Sequence, residues 1–362
     1  MNPGLIVKLR PTGPWRIGPD SGARNRVDVV YHSDSLYSAV TSAMARFGRL
    51  EEWLDATARS ATPAVCFSSC FPFVDETGFV VPPRTVWPPA SPALMAAHVR
   101  WKSARFVPLE VVRAILAGES LDENRWSVDG PSSCLMPAGQ SGPFRTSVRW
   151  SAAVDRLSGT SERHSMACIE FRPGAGLWAI AGFASDAARD TWQDAVKAAF
   201  RLLADTGFGG ERSRGWGRSS APEFLEGEIP ALILGNAAPA ASPELTGVPA
   251  STEPEAEAPA PEPKEVPATA NAHWLLSLFV PAQADSVDWS RGSYSVMARG
   301  GRVDSPAGSG GLKKQVQMIA EGSVLVAPAA LLGAAPDVAP DGFAHPVFRA
   351  GFALSIPLPE GN

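Results

Sequence analysis

Residues 236–270 limit the fold more than any other stretch, because they cannot contribute to a packed core. They read NAAPAASPELTGVPASTEPEAEAPAPEPKEVPATA, with ten Ala, eight Pro, six Glu and one Lys in 35 positions. Proline removes amide donors, the glutamates repel one another, and almost nothing apolar is there to offset the entropy of ordering the backbone. The composition predicts a stiff, extended, disordered acidic linker. It divides the 362 residues into a large part, 1–235, and a small part, 271–362, in line with the two domains that ~150 residues per domain suggests.

The linker also dominates the charge balance. Lys plus Arg total 32 and Asp plus Glu 37, a net charge of -5. Six Glu against one Lys in the linker already give -5, so the other 327 residues carry 31 charges of each sign. A neutral body leaves room for local basic patches, and three stand out: Arg84, Arg100, Lys102 and Arg105; Arg212, Arg214 and Arg218; and Arg291, Arg299, Arg302, Lys313 and Lys314, opposed only by Asp304. Ordinary solvated surface is the competing reading of each. Hydrophobic residues at 45 % indicate a globular chain. No run approaches the ~18 apolar residues of a membrane span, and Lys8 and Arg10 interrupt the apolar start before a signal-peptide core forms. The expectation is a cytoplasmic protein with no membrane partner. Cys66, Cys70, Cys134 and Cys168 form no C-x-x-C pair, which argues against a disulfide or zinc framework.

Both parts read as mixed α and β. Leu5 to Leu9 is a short strand, and Leu36, Val40, Met44 and Phe47 recur at helical spacing, with Ser33 as N-cap and Gly48 as stop. Ala167 to Phe171 and Leu177 to Phe183 flank a Pro/Gly turn and suggest a hairpin. Ser185-Asp186 opens a helix whose stripe is Trp192, Val196, Phe200 and Leu203, ending at Gly207. Ser220 to Leu225 reads as a further strand, so this stretch runs β, β, α, Gly-rich loop, β. That order suits a ferredoxin-like antiparallel sheet with helices on one face. In the small part, strands are expected over 274–280, 294–299, 315–319, 324–327 and 348–358. Residues 85–150 read either as an inserted hairpin or as an irregular lobe.

The densest chemistry lies at 207–218, Gly-Phe-Gly-Gly-Glu-Arg-Ser-Arg-Gly-Trp-Gly-Arg. A P-loop fails here because Trp216 stands where Lys is required, and a dinucleotide fingerprint fails because the loop follows its helix and places Arg212 at the third glycine. Glycines let backbone amides approach an anionic chain, Arg forks bind phosphate bidentately, and Trp216 offers a face for a base. The loop therefore suits extended RNA. A connector whose glycines only satisfy left-handed turns is the competing reading.

Gly209 to Arg218 resembles the glycine-rich loop of the RAMP superfamily, the RNA-binding subunits of CRISPR effector complexes. His-Ser-Asp-Ser-Leu-Tyr-Ser-Ala at 32–39 is similar to the opening helix of the fourth subunit of type III-A Csm complexes, where Thr more often stands at the position of Ser35. Phe71-Pro72-Phe73 before Pro82-Pro83, Asp155-Arg156 before Ser158-Gly159, Lys313-Lys314 before Glu321-Gly322-Ser323, and His345-Pro346-Val347 before Arg349 and Gly351 follow in matching order. The linker departs from the usual pattern. The resemblance implies an α+β protein of the Cas-five group, with two ferredoxin-like, RRM-like antiparallel sheet domains joined by the Pro/Ala/Glu-rich linker. It further implies a non-catalytic subunit without cofactors that holds the 5′ tag, or handle, of the CRISPR RNA (crRNA). Its partners would be the large Palm-domain Cas subunit and the backbone RAMP subunit. The RNA-binding residues expected on this basis are Gly207, Gly209, Gly210, Arg212, Ser213, Arg214, Gly215, Trp216, Gly217 and Arg218, together with His32, Ser33, Ser35, Arg299, Lys313 and Lys314.

Some RAMP relatives cut RNA with a His beside a Lys or Arg, so a metal-independent endoribonuclease using His32 or His345 is the enzymatic alternative. The equivalent subunit of a type III-B Cmr complex is a third reading. The histidines, His32, His98, His164, His273 and His345, show no metal-ligand spacing. Asp155-Arg156 reads as a local pair or a brace for the RNA path rather than an acid catalyst.

Overall fold

The computed structural model describes residues 2–18, 22–89, 101–235, 271–305 and 308–358. The linker at 236–270, with its expected extended form, lies outside the described residues, as do His98 and Arg100.

The large part contains β1 (Pro3–Leu9), α1 (Ser33–Arg46), α2 (Leu50–Ala56), β2 (Val65–Phe67), β3 (Phe71–Val74), β4 (Thr77–Val80), β5 (Val107–Pro108) and α3 (Leu109–Leu116). It continues with β6 (Trp126–Asp129), β7 (Cys134–Pro137), β8 (Phe144–Val154), β9 (Ser161–Phe171), β10 (Ala175–Phe183), α4 (Asp186–Thr206), β11 (Glu223–Glu228) and α5 (Ile229–Leu234). A seven-stranded sheet runs β11-β1-β10-β3-β4-β5, with β2 beside β10. Its pairings are antiparallel. Within it the chain follows a β-α-β-β-α-β path through β1, α1, β3, β10, α4 and β11.

Local chemistry explains most of these elements. Every residue of β10 is buried, as its AGLWAIAGF sequence requires of a central strand. In α4 the Ser185 hydroxyl accepts the Ala188 N–H, the expected apolar stripe is buried, and Gly207 ends the helix at φ 77°. Two expectations need correction. The N-cap of α1 is His32, and Ser33 is already helical. β9 and β10 do not form a hairpin, because β10 is flanked by β1 on one edge and by β2 and β3 on the other. β9 pairs instead with β8 over eleven residues each, from Phe144 opposite Phe171 to Val154 opposite Ser161. Within 85–150, the small β6–β7 hairpin and α3 replace an irregular lobe among the described residues.

The small part contains β12 (Asn271–Leu275), β13 (Asp288–Ser293), β14 (Val296–Arg299), β15 (Arg302–Ser305), β16 (Gly308–Leu312), β17 (Val316–Ile319), β18 (Val324–Ala327), β19 (Gly333–Ala334), β20 (Gly351–Phe352) and β21 (Ser355–Leu358). Four strands form a sheet in the order β13-β18-β12-β21, and β14–β17, β15–β16 and β19–β20 pair separately. No helix occurs among its described residues, a departure from the second helix-bearing sheet expected. Its apolar residues come in short, largely continuous runs such as Trp274–Val280 and Val324–Ala327, each closed by Pro, with no long stretch at helical period.

The two parts share a core. Trp274, Leu276, Phe352, Leu354 and Ile356 pack in one cluster with Val40, Trp53, Phe67 and Phe183. Backbone groups cross the junction as well. The Ser69 N–H donates to Leu276 O at 2.9 Å, and the Leu278 N–H donates to the Ser33 hydroxyl at 2.9 Å.

Candidate nucleic-acid interface

Where the parts meet, a cleft of about 570 Å³ opens between α1, the end of α4 with its glycine loop, and the segments around Gly300 and Lys313. Its described lining includes six cations, Arg46, Arg212, Arg299, Arg302, Lys313 and Arg349, and one acid, Asp34. The wall given by α1 is small and polar: Ser35, Ser38, Ala39 and Ser42 recur at i, i+3, i+4 and i+7. Such a wall lets a chain lie close to the helix while the far wall supplies charge. Arg46, Arg212 and Arg302 are solvent-exposed, which suits contact with a mobile polyanion.

The glycine loop is built differently from the sequence expectation. The amides of Gly207, Phe208, Gly210, Arg214, Gly215 and Gly217 are engaged by Leu203, Gly217, Arg16, Glu211, Arg212 and Pro14 carbonyls respectively. Gly207, Gly209 and Gly217 sit at φ 77°, 89° and 78°. A Cβ would fall 2.5 Å from Trp216 O at Gly207, 2.6 Å from Arg16 O at Gly209, and closer still to Phe208 O at Gly217. These glycines let the loop close on Trp15, which is fully buried, donates from Nε1 to Phe208 O at 2.6 Å and meets the Phe208 ring edge-on at 4.7 Å. They therefore serve packing, which corrects the picture of free amides clasping a ligand. Arg16 is the missed partner. Its guanidinium donates to the carbonyls of Ala23 at 2.9 Å, Arg24 at 3.0 Å and Ala167 at 2.8 Å, and burial pushes its pKa down.

Two buried ionic networks span the junction. His32 lies between the Glu321 carboxylate at 2.7 Å and that of Asp28 at 3.1 Å, and the Ser69 hydroxyl donates to the same Glu321 oxygen. Burial alone would push the His32 pKa down, but the Glu321 charge and the hydrogen bonds that the ring donates to both carboxylates raise it to about 9. Burial opposes ionisation of Glu321 too, and His32 nevertheless holds its carboxyl below the usual range. The second network joins Asp34 to Arg299, at 3.0 and 3.1 Å, and to Arg349. Against the burial penalty, the two guanidiniums lower the Asp34 pKa to about 2.

The cleft thus gathers Ser35, Gly207, Gly209, Arg212, Arg299 and Lys313 of the expected residues. Lys313 and Lys314 lie in the loop between β16 and β17, and Lys314 is exposed and paired with Asp341 at 2.8 Å. Gly210, Ser213, Arg214, Gly215, Trp216, Gly217 and Arg218 fall outside the described lining. Arg214 instead reaches the β8–β9 hairpin, donating to the Ser151 hydroxyl at 3.2 Å and contacting His164 Nε2 at 3.1 Å. His32 and Ser33 are buried and turned into the junction, which corrects their expected place on an open surface. Arg299 is 5 % exposed and bound to Asp34, so its part in the cleft is structural. Sequence reading missed Arg46, whose only signal was charge; Arg302, named in a basic patch, and Arg349, named in the C-terminal motif, were not among the expected RNA contacts. His345 meets the Ser305 hydroxyl at 2.7 Å. Among the described residues no cluster could hold a metal ion, and no helix is long and apolar enough to cross a membrane.

The chain is α+β, with several antiparallel sheets, an arrangement consistent with a RAMP-type fold. Over 99 % of its length the chain is similar to a chain in the Csm3-Csm4 subcomplex of the type III-A CRISPR-Cas interference complex, with a TM-score of 0.60, 14 % identity and 99 % of that chain covered. It is likewise similar, over 99 %, to a chain of the Csm1-Csm4 cassette in complex with cA4, with a TM-score of 0.54, 17 % identity and full coverage of that chain. Residues 268–358 match the family model of the CRISPR Csm4 C-terminal domain, and the RAMP resemblance read from the sequence is borne out. No curated protein matches the sequence.

Proposed function

We propose that this chain is a non-catalytic, cytoplasmic RNA-binding subunit of a type III-A CRISPR effector complex, with a ferredoxin-like N-terminal domain. Its cleft holds the repeat-derived 5′ tag of the crRNA, and its flanks meet the large Palm-domain subunit and the backbone RAMP subunit. The observation that carries the RNA reading is the cleft itself, where Arg46, Arg212, Arg302 and Lys313 line the walls and the one acid of the described lining, Asp34, is taken up by Arg299 and Arg349. Phosphate contacts dominate such binding and make it fall with salt. The partner assignment rests on the assemblies in which the similar chains stand, with Csm1 in one and Csm3 in another. A non-catalytic role agrees with His32, one of the two candidate bases, being closed off between two carboxylates.

Replacing Arg212, Arg302 and Lys313 together by Ala should weaken binding of single-stranded repeat RNA and flatten the salt slope by about 0.7 for each phosphate no longer neutralised. Fluorescence anisotropy across a salt series measures both. Unchanged affinity and slope in the triple variant would take RNA out of the cleft.

A further inference from the structure

On charge alone, the Asp34 carboxylate should repel an RNA in the cleft, and its removal should tighten binding. The geometry argues the opposite. Asp34 is 4 % exposed, and both of its oxygens are taken by guanidiniums from the small part, Arg299 and Arg349. Arg349 also donates to Gly300 O, and Arg299 donates to the Ser35 hydroxyl at 3.2 Å. The Lys313 N–H in turn donates to Gly301 O at 2.9 Å. A continuous series of contacts therefore runs from Asp34, on the α1 wall, to the backbone that carries Arg302 and Lys313 on the other. We propose that Asp34 is a positioning residue of the RNA cleft: by clamping Arg299 and Arg349 it holds the Arg302–Lys313 wall opposite α1 and Arg212, so RNA affinity depends on a carboxylate that repels RNA. The inference rests on the RNA reading above and adds what sets the width of the site. Glu321, which is not among the described lining residues, supports the same junction through His32 and Ser69.

The test measures binding of a short single-stranded RNA to the full chain by anisotropy, with stoichiometric titration giving the active fraction. Asp34→Asn should weaken binding roughly tenfold or more, since breaking a buried pair is costly and leaves two guanidiniums short of a counter-charge. A merely structural role would lower the active fraction and leave Kd unchanged. Equal or tighter binding by Asp34→Asn overturns the proposal. Should that variant not fold, Glu321→Gln decides. It should weaken binding with the salt slope intact, because every cation that meets a phosphate is still present, and unchanged affinity there overturns the proposal equally. The Arg212→Ala/Lys313→Ala variant separates the two claims. If it weakens binding while Asp34→Asn does not, only the positioning role fails; if it too binds normally, the RNA reading falls.

Discussion

Gly217 and Gly215 stand two positions apart at nearly the same positive φ, 78° and 77°, yet they face opposite surroundings. A Cβ at Gly217 runs into the Phe208 backbone and Trp15 Nε1, whereas at Gly215 nothing lies within 4 Å. Gly215→Ala should therefore cost only the left-handed penalty, about 1 kcal/mol, and Gly217→Ala well over 2 kcal/mol. Urea unfolding of the two variants measures the difference, and equal values would mean that the loop does not close on Trp15. The sequence made the glycines conspicuous but left their purpose open. Their partners, Trp15 and Arg16, lie about 190 residues upstream, beyond any local pattern, whereas the RNA reading needed only composition. Arg212 was identifiable because charge and exposure coincide in it. Arg299 looked the same in sequence and is buried, because nothing local signals that Asp34 faces it.

Elements were read best where periodicity is strong. α4 declares itself through an N-cap, a four-residue stripe and a terminal glycine, and each does what its chemistry suggests. α1 declares its stripe but not its start, since Ser33 has the composition of a cap and another task. Its hydroxyl accepts the Leu278 N–H across the junction, and its own N–H donates to the Ser69 hydroxyl. Ser185→Ala should cost about 1 kcal/mol, the worth of an exposed cap. Ser33→Ala leaves a buried amide unsatisfied and should cost about 1–3 kcal/mol. Urea unfolding compares them, and a smaller loss for Ser33 would dissociate α1 from the junction. The β9–β10 hairpin misled for a related reason. Strands joined by a tight turn pair by default, and the default gives way because β10 has both edges occupied by segments remote in sequence.

At the scale of the molecule, the linker composition suggests two separate parts and gives no sign of how far the described residues on either side share one core. The apolar residues of β12, β20 and β21 read as the interior of a separate sheet, and part of that interior is the surface of the other domain. The charges sealing the junction make docking depend on pH at both ends. Asp34 and Glu321 have folded pKa values below their ordinary ones, so what they contribute is present above the ordinary carboxylate range and is lost as pH falls below it, for Asp34 as pH falls through about 2. His32 is raised from 6.5 to about 9, so its contribution is complete below 6.5 and is lost as pH climbs through 9. The loss could reach about 3 kcal/mol, an upper bound for a buried, coupled group. Unfolded cysteine thiols also begin to titrate near that pH, while burial holds Cys66 and Cys134 up to about 12 in the fold, so every variant loses some stability there. The diagnostic quantity is therefore a difference. Urea unfolding of the full chain at pH 6.5 and 9.5 should show a larger fall for the natural sequence than for Glu321→Gln, which keeps His32 but takes away the charge that raises its pKa. RNA affinity should follow the same curve, because the wall carrying Arg302 and Lys313 is held by the junction. Equal pH dependence in the two proteins would mean that Glu321 does not hold a charge on His32 in the fold and that this pair adds nothing to the joining of the halves.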